Sequence, residues 1–78
     1  MNRHDEAFYI GKSIKETLEI PDGLVFILMN HLKANQITDV KGEILELFIA
    51  AKKRVPQDFF LNLDAETGYC FVAGLRAK

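Results

Sequence analysis

Seventy-eight residues, 49% of them hydrophobic, with a formal net charge of −1, predict one small domain, 1–78, of the size that buries only about 60% of its unfolded surface and needs either a partner subunit or an unusually good core. A lone cysteine, Cys70, excludes an intrachain disulfide, and one Cys with two His, at positions 4, 31 and 70, is too few for a zinc site. Interleaved acidic and basic residues lack the basic balance that nucleic acid favours, and no apolar run approaches the ~20 residues of a membrane span.

The N-terminus, MNRHDEAFYIG, lacks the basic-then-apolar pattern of a secretory signal. With its free thiol, the chain is expected to be cytoplasmic. Residues 5–20, DEAFYIGKSIKETLEI, set Ala7, Ile10, Ile14 and Leu18 at helical spacing, with Lys12, Lys15, Glu16 and Glu19 opposite, and predict an amphipathic helix. Gly11 weakens that helix by about 1 kcal/mol relative to Ala. A rival reading starts it at Ser13, with Glu16 completing a capping box, and makes AFYI a short strand.

Pro21 ends this element, because a residue before proline avoids helical angles. PDG is turn chemistry, and Asp22 can cap a second helix to about Ala34. This helix carries the continuous apolar run LVFILM, Leu24 to Met29. At about 100° per residue, Leu24, Val25, Leu28 and Leu32 share one face. Phe26 falls opposite with Asn30 and Lys33, and Ile27 points a third way. A helix apolar nearly all round is expected to be covered on more than one side. A buried strand is the alternative for so short a run.

NQITD makes the next break, and Thr38 or Asp39 is expected to cap a third helix through about Val55. Ile37, Val40, Ile44, Leu47, Phe48, Ala51 and Val55 form its core stripe. Leu45 and Ile49 lie outside that stripe, an apolar ledge one turn apart next to Gly42. Lys52, Lys53 and Arg54 are placed in the last turn, complementing the helix dipole, and Pro56 closes the helix. The remainder predicts a hairpin, with strands FFLNL and YCFVA joined by DAETG. Asp64 would bond nearby amides and Gly68 would take left-handed angles. Phe60 and Asn62 would share its outer face, and YCFVA is apolar on both faces.

The expected fold class is therefore α+β, three helices followed by a C-terminal β-hairpin. That element order resembles a winged-helix domain, in which two helices form a helix-turn-helix and a hairpin makes the wing. The resemblance implies a DNA-binding transcriptional regulator.

No residue is assigned a catalytic role, and no metal or cofactor is expected. GKS at 11–13 would need a glycine five residues before Gly11 to end a phosphate-binding loop, and that position is Glu6. Cys70 lacks an obvious base or electropositive setting and is expected to be structural. His4, His31 and the carboxylate pairs Asp5/Glu6 and Glu43/Glu46 imply no pocket. Lys52, Lys53 and Arg54 are the candidate nucleic-acid contacts, yet Glu43 and Glu46 on the same helix would repel phosphates, which disfavours that reading. The apolar excess points elsewhere. Phe26, Leu45, Ile49 and Phe60 are the candidate protein-binding residues, because a contiguous apolar patch marks an interface. The chain is expected to be a non-enzymatic protein-protein interaction module, a small regulator, inhibitor or adaptor that binds another protein, itself as a homodimer, or both.

Overall fold

The computed structural model describes residues 2–78. Five helices follow one another: α1 (Arg3–Lys15), α2 (Asp22–Lys33), α3 (Ile37–Ala51), α4 (Gln57–Leu61) and α5 (Ala65–Leu75). Among the described residues there is no strand. The expected α+β class, the C-terminal hairpin and the winged-helix order are therefore overturned, and the fold is all-helical.

The reason lies in residues 64–75. DAETG reads as a hairpin loop but acts as a helix start. Asp64 is the N-cap, its Oδ1 accepting from the Thr67 N–H at 2.9 Å, while the Asp64 N–H donates back to Thr67 Oγ1 at 3.0 Å. This reciprocal pair satisfies two backbone donors that would otherwise be orphaned at the helix start. Gly68 has no positive φ and lies inside α5. The apolar residues of YCFVA and its flanks follow a helical period, so that Gly68, Phe71, Val72 and Leu75 are buried on one side. FFLNL contributes only the single-turn α4, with Phe59 and Leu63 buried four residues apart.

Other boundaries move for local reasons. Helix α1 begins at Arg3, with Asn2 Oδ1 accepting from the Asp5 N–H at 2.8 Å, and AFYI is helical, which removes the short-strand alternative. Residues 24–29 are helical as well. Pro21 is the N-cap of α2 and Asp22 sits in its first turn. This helix ends in a Schellman motif: Asn35 takes φ 55°, Gln36 N–H reaches the His31 carbonyl at 2.8 Å and Asn35 N–H reaches Leu32 at 3.0 Å. Helix α3 ends the same way at Lys52, φ 56°, with Lys53 N–H on the Phe48 carbonyl at 3.0 Å. Lys52, Lys53 and Arg54 thus lie beyond the helix and not in its last turn.

The core gathers Ile14, Leu28, Val40, Ile44, Phe48 and Phe71, all fully buried, with Phe59 stacked on Phe71 at a centroid separation of 5.6 Å. The most extensive helix pair is α1 with α5. They run in the same sense, joined at their starts by Arg3–Asp64 at 3.2 Å and His4–Glu66 at 3.0 Å. Further along, backbone meets backbone. A Cβ on Gly11 would strike the Phe71 carbonyl and lie 3.2 Å from the Leu75 nitrogen. A Cβ on Gly74 would strike the Phe8 carbonyl and lie 2.7 Å from the Lys12 nitrogen. Helix α2 packs by Leu28 and Leu32, but Phe26 and Ile27 face outward. The expectation of a helix sandwiched on several sides is not met within the chain. No helix is long and apolar enough to cross a membrane among the described residues.

Helix propensity and packing oppose each other at these glycines. Gly11→Ala gains about 1 kcal/mol of propensity, but the backbone clash leaves it destabilised by about 1–3 kcal/mol overall. Gly42, where a Cβ meets nothing within 4 Å, is the control, and Gly42→Ala should stabilise by about 0.5–1 kcal/mol. Thermal melts of both variants decide the matter. A Gly11→Ala protein melting at or above wild type would refute the close approach of α1 and α5.

Candidate functional site

Groups capable of chemistry are dispersed or engaged. Cys70 is half-buried on α5. Burial first, then the carboxylates of Glu66, Asp5 and Asp64, push its thiol above the ordinary value, opposite to the shift that activates a nucleophile. His31 Nδ1 pairs with Gln36 Oε1 at 2.9 Å, bracing the turn between α2 and α3. His4 is occupied by Glu66. The Asp64 carboxyl is held below the usual carboxylate range, chiefly by the Thr67 N–H, against a smaller opposing effect of burial and with help from the Thr67 hydroxyl and Arg3. Its perturbation thus serves the α5 cap. Among the described residues, no three His, Cys, Asp or Glu side chains are grouped to hold a metal ion.

Among the surface hollows, two differ in their lining. One, of about 210 Å³, is lined by Arg3, Glu6, Asp58, Phe59, Asn62 and Thr67. Its cation is already spent, since Arg3 Nη2 donates to the Asn62 carbonyl at 2.7 Å and to Asp64 at 3.2 Å. The other, wide open and about 460 Å³, runs along α2 beside the end of α5, between Asp22, Val25, Phe26, Met29, Lys33 and Arg76. Among the described residues every buried polar side-chain atom has a partner, so no unsatisfied group is aimed into either.

The apolar surface is more distinctive. Ile49 is 68% exposed and Phe26 66% exposed, with Leu45 and Ile27 also outward. Leu45 and Ile49 stand one turn apart on α3, beside the open Cα of Gly42. Phe60, the fourth candidate, differs. It is half-buried, with Lys41 Nζ 5.5 Å from its ring centroid, and the hairpin face that nominated it does not exist. Leu61 and Tyr69 are also exposed, which the strand pattern does not signal. Helical spacing separates Leu61 from Phe59 and Leu63, whereas a strand put all three on one face. Lys52, Lys53 and Arg54 are all exposed, just past α3.

No protein-family model matches the chain, and neither does any curated protein or solved structure.

Two measurements follow from these side chains. Cys70 in the folded protein should react with an alkylating reagent more slowly than an exposed cysteine near neutral pH, because its thiolate is disfavoured. Rapid, stoichiometric alkylation of native protein would contradict a structural role. For Asp64, the folded pKa is lowered, so its stabilisation is full above the ordinary carboxylate pKa and is lost as pH falls through that range into the lowered folded value. Asp64→Ala should therefore cost about 1 kcal/mol near neutral pH, and the gap should narrow in acid. A gap unchanged between about pH 7 and about pH 3 would show that the ionised carboxylate is not the cap.

Proposed function

We propose that the chain is a non-enzymatic protein-protein interaction module, a small regulator, inhibitor or adaptor that works as a homodimer. One observation carries this reading. Ile49, Leu45, Phe26 and Ile27 stand outward on helices whose other faces already close the core. Covering a large apolar side chain is worth roughly 1.5–3 kcal/mol, a substantial gain for a domain stable by about 5–15 kcal/mol. Scattered exposed apolar residues carry no meaning. Here they recur on consecutive helices, and on α3 they occupy adjacent turns.

Nucleic acid is disfavoured as a partner. Helix α3 presents Glu46 outward and keeps Glu43 half-exposed, while the basic residues follow it in a loop. The free thiol suits a reducing compartment, and the cytoplasm is where we expect the module to act.

The ledge is the surface to disrupt. Tagged wild-type protein and a Leu45→Glu/Ile49→Lys variant should be compared in capture from the native host. Circular dichroism should show equal helicity, since both side chains lie outside the core. The expected result is a protein retained by wild type and reduced at least about tenfold on the variant, in keeping with the loss of two buried apolar contacts. Identical retention by both proteins would remove α3 as the contact surface.

A further inference from the structure

Helix α2 carries a second apolar surface with a different character. Asp22, Phe26, Met29 and Lys33 are spaced four, three and four residues apart, the spacing of a coiled-coil seam. At about 100° per residue they fall within about 60° of one another, and all four line the open hollow beside α5. Phe26 is exposed and Met29 half-exposed at the middle of the seam, while exposed Asp22 and Lys33 stand at its ends. Neither charge is held in an ion pair, and Arg76 adds a second cation to the lining of the same hollow. The ion pair among the described residues is Arg3–Asp64, with a His4–Glu66 hydrogen bond beside it, and the two ends of the seam lie too far apart, about 16 Å along the axis, to pair with each other.

The seam is complementary to itself. A two-fold axis between Ile27 and Leu28 sets Asp22 opposite Lys33 of a second copy, and Phe26 opposite that copy's Met29. Each contact then occurs twice, as an isologous interface requires. Opposite charges meet at both ends, thioether meets aromatic ring in the middle, and the two helix dipoles run antiparallel. Parallel pairing would instead stack Asp22 on Asp22 and Lys33 on Lys33. We infer that the occupant of this groove is a second copy of the chain, paired antiparallel along α2 through Asp22, Phe26, Met29 and Lys33. This rests on the reading of the exposed apolar surface as contact surface and specifies one of its partners.

Sedimentation equilibrium tests the pairing. The wild-type protein is expected to dimerise at up to about 200 μM, the weak range of a small interface. Phe26→Ala, Asp22→Lys and Lys33→Asp should each weaken the dimer about tenfold or more, since each reversal puts two like-charge contacts into the antiparallel interface. Mixing the Asp22→Lys and Lys33→Asp proteins should restore it, because opposite charges then face each other at both ends. Melts of each variant alone confirm that it folds. Four results would overturn the inference: a monomeric wild type, single reversals without effect, a mixture no tighter than its components, or a dimer lost with Leu45→Glu/Ile49→Lys but kept with Phe26→Ala. A monomeric wild type that still captures a ledge-dependent protein would sink this inference and the homodimer with it, and leave the module's binding of another protein standing.

Discussion

The closest constraint in this molecule is the backbone contact between α1 and α5. Gly11 lies against the Phe71 carbonyl and Gly74 against the Phe8 carbonyl, so each helix uses a missing side chain to admit the other. The contact joins the two ends of the sequence, and the entropy of closing so long a loop opposes it. What offsets that cost is also at this seam: Ala7 and Ile14 on α1 and Phe71, Val72 and Leu75 on α5 are buried together in one core. Arg3 and His4 then reach Asp64 and Glu66, but these are exposed pairs, each worth about 1 kcal/mol or less. They align the helix starts more than they hold them.

That pairing sets the roles of the other helices. With α1 and α5 side by side, Phe71 sits at the centre and takes Phe59 from α4 against its ring. Leu32 from α2 closes over Gly68, where any Cβ would strike it. Helices α2 and α3 thus approach the α1–α5 pair each with one face. Among the described residues no element is laid over their outer faces. Phe26, Ile27, Leu45 and Ile49 are left outside, while the helices beneath them are fixed by Leu28, Leu32, Ile44 and Phe48.

Helices α1 to α3 are legible from their periodicity. The α3 stripe is buried at Val40, Ile44, Leu47, Phe48 and Ala51, whereas Ile37 is half-buried and Val55 lies beyond the helix, also half-buried. The C-terminal third is not legible in this way, for a physical reason. Glycine signals turns because it tolerates positive φ, but Gly11, Gly68 and Gly74 serve close packing inside helices, a role that depends on a partner distant in sequence. Asp64 was recognised as a residue that bonds nearby amides, yet that chemistry is common to hairpin loops and helix caps. Thr67, three residues on, decides for the cap. The five-residue apolar runs were too short for their period to separate strand from helix. At the surface, Leu45, Ile49 and Phe26 were visible as residues off the core stripe of their helices. Phe60 points outward only on a strand face, and in the helical fold it is half-buried.

The apolar run of α2 then has a two-part explanation. Leu28 and Leu32 are required by the core, and Leu24 and Val25 pack partly against it. Phe26 is not required by the core, and its exposure costs nothing in packing but invites association. Its neighbours along the stripe are what restrict that association. A wholly apolar stripe would accept any apolar surface, whereas unpaired charges of opposite sign at its two ends disfavour partners that cannot answer both, since leaving either desolvated and alone is costly. Two helices that contribute alike to the core therefore present different surfaces to the outside: α2 shows exposed apolar side chains bounded by charges of opposite sign, and α3 shows two exposed apolar side chains one turn apart.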